Sequence, residues 1–494
     1  MKLPSLMPKK LHYTAVADND DVLYNMLVKI PPDLIDFFES ACEDETWCED
    51  HPAFTTSLID WLTRRAFEEK IHYEAIQRCA AAIQKHYLAL KPFIPKNITC
   101  VVEGQEYPVN SLLLAASSAV FYEAIRRECR ERKSKSLVID RMKFETFLDI
   151  QEFVQTGYVE ELWRKKQEVI MQELREARPW ELHGFVELCQ EILKRYVDPQ
   201  NVIETLSMAN KENLEIIRKR CFEVLNQMDR GLIFQESDPG RIIVEFQHFR
   251  DSALDLFEKV RPLITHLVFT GNLTEEAQFS KIANRCPRLT GLNLSQTETF
   301  SDQLEFLPSD IEELDLSMCP WLNDQTLDKM IEFCPNIRKL RLASNPQIKY
   351  TGWSKLRNIT RLESLDLTRC NQISNDEFLV IIEACRGLSE FIFEEISKVT
   401  DVAYSEIART MQYLTHLNLS RTKIGDVPLI EIVTRCRSLR NINLTRCPNV
   451  TDDAVLQIVE VATALERINV SHCGLADATF LELKESHPFL EVIR

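Results

Sequence analysis

The sequence predicts a multidomain α/β protein, with a helical N-terminal region, a mixed α/β middle and a C-terminal α/β solenoid. Its 494 residues are too many for one core, since domains average about 150 residues. The second half repeats a short strand and a helix at nearly constant spacing, and the middle shows a few strands interleaved with helices. These two patterns, together with the length, predict the fold class.

Composition places the chain among globular proteins and excludes several function classes. Hydrophobic residues are 45% and charged residues 27% of the chain, and 59 basic against 76 acidic residues give a net charge of −17. Such an acidic chain is a poor generic binder of nucleic acid or of an anionic membrane. No apolar run reaches the roughly 18–20 residues of a membrane helix, and no secretory signal is predicted. The 15 cysteines include no C-x-x-C pair, which predicts free, buried thiols in a reducing cytosol.

Nine segments of the C-terminal half share one strand pattern, apolar at the fourth and sixth positions. They begin at Ile264, Leu289, Ile311, Ile337, Leu362, Leu388, Leu414, Leu439 and Leu465. A helical stripe follows, as in Phe378, Ile381, Ile382 and Cys385. Capping residues precede three of the helices, at Asn323, Ser374 and Thr451. One strand and one helix cannot bury their apolar faces alone, so stacked copies predict a curved solenoid.

The best copies of this repeat are LESLDLTRCNQISNDEFLVIIEACRGL at 362–388 and LRNINLTRCPNVTDDAVLQIVEVATAL at 439–465. They resemble the cysteine-containing leucine-rich repeat of F-box adaptor proteins, roughly LxxLxLxxCxxITDxxLxxLxxxCxxL. The resemblance implies about nine repeats in residues 263–494, with a truncated tenth at Leu490. Eight cysteines fall in register with the repeat, so we interpret them as buried packing residues and predict no metal site.

Residues at the third and fifth strand positions should point to the concave face of such a solenoid. This face is polar and carries both signs of charge, which suits the recognition of a protein surface, although a plain solvated face has the same composition. We predict a substrate-binding patch on adjacent strands. Its residues are Lys339, Arg341, Asp366, His416 and Asn418.

The middle of the chain shows a second pattern. NITCVVEGQEYPV predicts two strands around Glu103–Gly104, SLLLAASSAVFYEAIRREC predicts one continuous helix, and a third strand is predicted at Leu137–Asp140. A further helix beginning at KFETFLD should close at Gly157.

These residues resemble a BTB domain, predicted here at 92–195. The family pattern Fx2HKx2Lx3Sx2F falls on Tyr107, Asn110, Ser111, Leu114, Ser118 and Phe121. YVDPQNVIETLSMANKENLEIIRKRCFEVL resembles the opening helices of a BACK domain, so residues 196–262 are predicted as BACK-like helices and a turn-rich connector at GLIFQESDPG. The resemblance implies a BTB homodimer and a cullin-binding site. The cullin-binding residues would be Ile125, Cys129 and Glu131.

The N-terminal region carries no recognised family. Residues 1–17 are predicted to be a flexible tail and residues 18–91 to be helical. Cys42 and Cys48 each precede Glu-Asp, which resembles the Cys-x-Asp nucleophile of a bacterial class of ubiquitin ligases. The adjacent carboxylates disfavour a thiolate, and the large catalytic domain of that class is absent from the sequence. A metal site at Cys42, Cys48 and His51 lacks a fourth ligand. Phosphate-loop, hydrolase and zinc-protease motifs are also absent, so no catalytic residue and no cofactor are predicted.

A BTB domain followed by such repeats resembles a substrate receptor of a cullin-RING ubiquitin ligase. The BTB domain would hold the cullin and the repeats an unknown substrate protein, in the cytoplasm and without catalysis by the chain itself. Three alternatives stay open. They are a scaffold without ubiquitin chemistry, a secreted bacterial effector that binds host proteins in the host cytosol, and a Cys-dependent ubiquitin ligase.

Overall fold

The computed structural model describes residue 59 and residues 73–128, 136–238, 240–248, 251–269, 282, 285–298 and 307–494. The predicted tail and the motifs at Cys42 and Cys48 lie outside these residues. The chain forms two compact units. Unit 1 comprises residues 1–198 and 214–220, and unit 2 comprises residues 199–213 and 221–494.

Unit 1 contains a three-stranded sheet. Its strands are β1 (Ile98–Val102), β2 (Gln105–Val109) and β3 (Ser136–Ile139), in the order β2-β1-β3. β1 pairs with β2 antiparallel and with β3 parallel. Glu103 and Gly104 form the turn between β1 and β2, with left-handed φ values of 49° and 77°. The predicted hairpin and third strand are therefore confirmed.

Seven α-helices with described bounds lie wholly in unit 1. They are α1 (Tyr73–Lys85), α2 (Tyr87–Leu90), α3 (Ser111–Ala116), α4 (Ala119–Arg127), α5 (Phe144–Thr156), α6 (Gln167–Ala177) and α7 (His183–Leu193). α5 ends at Gly157, whose φ of 75° is left-handed, as predicted. Gln84 on α1 donates from Nε2 to the carbonyls of Phe153 at 3.0 Å and Val154 at 3.3 Å. α1 thereby satisfies two carbonyls in the last turn of α5.

The prediction of one continuous helix from Ser111 is wrong, because the helix is interrupted at Ser118. The backbone of Ser118 is extended, at φ −163° and ψ 135°. Its Oγ accepts hydrogen bonds from the N–H groups of Val120 at 3.0 Å and Phe121 at 3.2 Å. Ser118 is thus the N-cap of α4. A serine inside an apolar run does not reveal by itself whether it continues a helix or caps a new one.

The sheet of unit 2 begins earlier than predicted. The expected turn-rich connector at 231–240 contains β4 (Leu232–Glu236), which forms an antiparallel hairpin with β5 (Ile242–Phe246). Both strands alternate buried residues with more exposed ones, a period of two that the Gly, Asp and Pro turn signals obscure. The sheet therefore starts upstream of residue 263, the predicted first residue of the repeats.

An asparagine protects the outer edge of β4. Asn226, near the end of α9 (Glu215–Met228), donates from Nδ2 to the Phe234 carbonyl at 3.0 Å. Its Oδ1 accepts from the Phe234 N–H at 2.8 Å. This pair of bonds satisfies groups that an edge strand otherwise exposes to pairing with another chain. Two helices lie wholly within this part of unit 2, α8 (Val202–Lys211) and α10 (Asp251–Val260).

Ten parallel strands follow β5 in one sheet. They are β6 (His266–Phe269), β7 (Gly291–Asn293), β8 (Glu313–Asp315), β9 (Lys339–Arg341), β10 (Ser364–Asp366), β11 (Glu390–Ile392), β12 (His416–Asn418), β13 (Asn441–Asn443), β14 (Arg467–Asn469) and β15 (Glu491–Ile493). The described helices between them are α11 (Asp324–Phe333), α12 (Tyr350–Lys355), α13 (Asn375–Ala384), α14 (Asp401–Thr410), α15 (Asp426–Arg435), α16 (Asp452–Val461) and α17 (Asp477–Ser486). Asn323, Ser374 and Thr451 are N-cap residues. The predicted solenoid is confirmed.

The cysteines of the repeats are part of the core. None of the twelve described cysteines forms a disulfide, and all are buried. Those that follow strands donate from Sγ to a backbone carbonyl of the preceding repeat. They are Cys319, Cys370, Cys447 and Cys473, at 3.2, 3.3, 3.1 and 2.9 Å. Burial raises the pKa of Cys370 to about 11 and that of Cys385 to about 12. These thiols therefore stay protonated at neutral pH and act in packing.

A residue in the left-handed conformation follows β7 to β14, once per repeat. The eight residues have φ values of 55–62°, and none is glycine: Gln296, Met318, Ser344, Arg369, Glu395, Arg421, Arg446 and His472. We call them the rim row. Neighbouring members are tied together where Glu395 accepts from Arg369 Nε at 2.9 Å and from Arg421 Nη1 at 3.1 Å.

Candidate protein-binding surfaces

A groove runs beside α4 and β3 in unit 1. Its cavity volume is about 950 Å³. It is lined by Ala119, Val120, Glu123, Ala124, Arg126, Arg127, Leu137, Val138, Trp180 and Glu181. Val138 is 61% exposed although it lies within a strand, so an apolar side chain is open to a partner here. We call this cavity the α4 groove.

The sequence of α4 explains which side chains face the groove. Phe121 and Ile125, four residues apart, are both fully buried, whereas Val120 and Ala124 line the cavity. The Phe121 ring stacks on Trp180 with centroids 4.6 Å apart. Trp180 therefore joins the domain core to one wall of the groove, and Phe121 belongs to the core.

The structure corrects one predicted contact residue and leaves two undescribed. Ile125 is 0% exposed, so its side chain is not available to a cullin, because it fills the core beneath α4. Its neighbour Ala124 lines the groove instead. Cys129 and Glu131 lie outside the described residues, and their role stays a prediction.

Sequence reasoning missed Val138 and Trp180. Trp180 is 59 positions away from Phe121, and no local periodicity brings them together. Val138 carried a usable signal, because LVID places it between two apolar residues on the opposite face of the strand. A valine on the outer face of a short strand at the edge of a sheet can mark an interaction surface.

The second candidate surface is the open face of the parallel strands. Along β8 to β14 the fourth-position residue is buried, and the third and fifth positions are more exposed, as in Lys339-Leu340-Arg341. The Lys339 and Arg341 side chains are 46% and 60% exposed. Arg341 lies opposite Asp366 on β10. Three of the predicted patch residues are therefore on adjacent strands.

The other two patch residues are one strand further away than predicted. His416 and Asn418 lie on β12, and β11 separates them from β10. β11 places Glu390 and Ile392 between the two halves of the patch, so the predicted set is not continuous without them. The sixth repeat supplies β11, and its fifth-position residue, Ile392, is apolar. The predicted patch consisted of polar residues and therefore omitted this strand.

The N-terminal end of this face neutralises its own charges. Glu313 on β8 accepts from Arg241 and forms an ion pair with Lys339 at 3.1 Å. The pKa of Glu313 is held well below its usual range by His266 and by the two cations, Arg241 and Lys339. Because His266 Nε2 is 3.6 Å from the carboxylate, beyond hydrogen-bond distance, the two cations are the firmer cause. A side chain at position 291 would force His266 to move, since a Cβ there would lie 1.8 Å from the His266 ring.

The middle of the face has uncompensated carboxylates. Asp366 accepts from the Thr368 N–H at 2.9 Å, Glu390 from Ser364 Oγ at 2.7 Å, and Glu394 from Asn418 Nδ2 at 3.2 Å. Among the described residues, none of these three carboxylates has a cationic partner within ion-pair distance. Ile392 lies among them, half-buried. The face thus changes from a neutralised end to an acidic centre with an apolar side chain.

Two further properties bear on function. None of the helices in the described part of the chain is long and apolar enough to cross a membrane. Within the same ranges, no three His, Cys, Asp or Glu side chains are grouped so that they could hold a metal ion.

Residues 94–197 match the family model of the BTB/POZ domain, and residues 410–432 match a leucine-rich repeat model. The bovine F-box/LRR-repeat protein 4 is 24% identical over 197 residues, which cover 38% of this chain and 28% of that protein. EEED8.10 of Caenorhabditis elegans, whose name proposes RNA binding, is 26% identical over 301 residues, 58% of this chain and 39% of that protein. The mouse TD and POZ domain-containing protein 2 is 25% identical over 125 residues, 25% of this chain and 34% of that protein.

The chain therefore spans well under half the length of each of these relatives. The BTB resemblance and the leucine-rich-repeat resemblance found in the sequence are each matched independently, one in each unit of the structure. The molecule combines a BTB/POZ domain, which contains the α4 groove, with an array of leucine-rich repeats, which presents an open strand face.

Proposed function

We propose that the chain is a protein-interaction adaptor that serves as substrate receptor of a cullin-RING ubiquitin ligase. The observation that carries the proposal is the pairing of an open, partly apolar groove in a BTB/POZ domain with a solvent-exposed strand face in leucine-rich repeats. In this proposal the groove binds the N-terminal part of a cullin, and the strand face binds substrate. The BTB/POZ resemblance supports the choice of a cullin as the first partner.

The chain itself would catalyse nothing. An adaptor that holds a substrate near a charged ubiquitin carrier raises the effective concentration of substrate lysines, and rate acceleration follows from proximity alone. Such a role needs no cofactor, and the proposal assigns none. It places the chain in the cytosol. The RNA binding named for one relative is not carried over, because the net charge of −17 disfavours contact with phosphates.

The α4 groove offers the contacts that such a partner needs. Val120, Ala124 and Val138 give an apolar floor, on which a small hydrophobic anchor from the partner can be buried. Glu123 and Arg126 form an ion pair at 3.2 Å beside it, and their exposed side chains can form rim contacts. Rim charges of this kind govern association rate and specificity more than affinity.

A charge placed in the groove should weaken cullin binding. We expect Val138→Glu to weaken binding of the full chain to the N-terminal portion of the BTB-recruited cullin by at least about tenfold, since a carboxylate would have to be desolvated in an apolar contact. Val169→Glu is the matched control, because Val169 is 41% exposed on α6 and does not line the groove. Titration calorimetry measures both. If the unmodified chain shows no binding at tens of micromolar, the ligase role is removed and the scaffold alternative stays.

The strand face is tested separately from the groove. We expect Arg341→Glu to remove partners captured by the full chain from cell lysate, because it reverses a 60% exposed charge at the junction of the neutralised and acidic parts of the face. Arg435→Glu, exposed at the end of α15, is the control for charge reversal. Quantitative mass spectrometry compares the captured proteins. Identical partners for all three chains would contradict a binding role for this part of the face.

A further inference from the structure

A buried ionic cluster joins three segments of unit 1 and belongs to neither binding surface. Lys165 Nζ donates to Asp149 on α5 and to Glu173 Oε1 on α6, the second at 2.7 Å. The side chains of Lys165, Asp149 and Glu173 are only 23%, 12% and 3% exposed. Two carboxylates face one ammonium, so full ionisation leaves one surplus negative charge in a medium of low dielectric constant.

One atom of the cluster lacks a partner. Glu173 Oε2 is buried and accepts no hydrogen bond within the described part of the chain. A buried carboxylate oxygen without a donor carries its full desolvation cost. A proton on Glu173 would remove the surplus charge and convert the acid into a donor toward a neighbouring oxygen.

The surroundings of Glu173 favour that proton. Burial is the largest influence on the Glu173 carboxyl. Burial and the Asp149 carboxylate together outweigh the opposing hydrogen bond from Lys165, so the pKa of Glu173 is raised to about 7. From α7 the group that faces the cluster is Cys189, whose pKa is raised by burial and by the two carboxylates, so the thiol is neutral. Glu176, on the same helix as Glu173, is engaged by Thr146 and Gln172 instead.

We propose that the Asp149–Lys165–Glu173 cluster is a proton-dependent clamp, which holds one proton on its carboxylates in the folded state and loosens α5, α6 and the Lys165 segment when that proton is lost. The direction of the pH effect follows from linkage. An acid whose pKa is raised in the folded state stabilises the fold fully below its unfolded value, and this contribution is lost as pH rises through the folded value. The window therefore extends from 4.5, the ordinary value, to about 7.

Hydrogen exchange of the full chain tests the clamp. Protection factors, corrected for the intrinsic exchange rate, are measured for peptides covering α5 and α6 between about pH 5 and about pH 8. In the unmodified chain, the protection factors should fall by up to about tenfold for each unit by which the pH rises within this window, relative to those of Glu173→Gln. Glu168→Gln, an exposed substitution on the same helix, should retain the pH profile of the unmodified chain.

A second variant keeps the test decisive if Glu173→Gln folds poorly. Asp149→Asn removes the competing carboxylate and leaves Glu173 with Lys165, so it should also flatten the pH dependence. Flattened profiles for either folded variant support the clamp. Parallel profiles for the unmodified chain, Asp149→Asn and Glu173→Gln would overturn it, and so would a rise of protection with pH that Glu173→Gln does not change.

Discussion

Replacing Cys385 with arginine is expected to unfold the repeat array around α13. The side chain is 5% exposed at the end of that helix, close to Ile382, which is 1% exposed. A guanidinium is much larger than a thiol and would have no counter-ion there. Burial of an unpaired charge, together with overpacking, should cost at least about 4 kcal/mol of unfolding free energy.

The measurement is chemical denaturation of the full chain, with exchange of the repeat amides as a local readout. Because each repeat packs only on its neighbours, protection should fall first in the repeats adjoining α13 and then spread along the array. Cys385→Ala is the control for size, with an expected loss of only about 1 kcal/mol. A denaturation midpoint for Cys385→Arg equal to that of the unmodified chain would show that this repeat is not packed as described.

Replacing Lys165 with methionine is expected to destabilise unit 1 by about 3–5 kcal/mol, because removing one partner of a buried ion pair leaves uncompensated charge. Burial opposes the charge on Lys165, yet its hydrogen bonds with Asp149 and Glu173 raise its pKa overall. Without the ammonium, Asp149 and Glu173 would face each other across a buried space. Protonation of Glu173 would relieve part of this repulsion, so the loss should be larger at pH 8 than at pH 6.

Lys166→Met provides the matched comparison, since Lys166 is the next residue and is exposed. Exchange protection of α5 and α6 reports on unit 1 in the full chain. Equal protection for both variants would mean that the cluster contributes no net stability, as is known for some buried ion pairs.

The repeats could be predicted closely from the sequence because their pattern of strand and helix recurs many times. Strand, cap and helix recur at nearly constant spacing, and errors in one copy are corrected by the others, so residues such as Asn323 and Thr451 were placed correctly at helix starts. The hairpin of β4 and β5 occurs once. Its alternation was outweighed by the turn residues of the same stretch, and nothing else in the chain repeated it.

The binding surfaces were harder to predict, for a physical reason. The α4 groove depends on Trp180 stacking on Phe121, a contact between distant residues that no local pattern specifies. Ile125 falls at a position that the BTB resemblance assigns to cullin binding. It is four residues from Phe121 on the same helix, however, and both side chains are buried in the core. On the strand face, the third and fifth positions were predicted correctly as a class. Continuity across β11 depends on which side chain each repeat supplies, and Ile392 carries no polar signal.

The rim row has a consequence for engineering this chain. A left-handed backbone costs a residue other than Gly, Asn or Asp about 1–2 kcal/mol, and the chain has 11 glycines yet uses none at these eight positions. Substitution with Asn at each position should therefore stabilise the fold, because Asn relieves the conformational cost without adding the unfolded-state entropy of Gly. Arg446 and Met318 are the natural first choices, since both are exposed and neither belongs to the Arg369–Glu395–Arg421 ion pairs. An array reinforced in this way would keep its core and its strand face unchanged, and it could then tolerate destabilising substitutions introduced on that face to change which partner it binds.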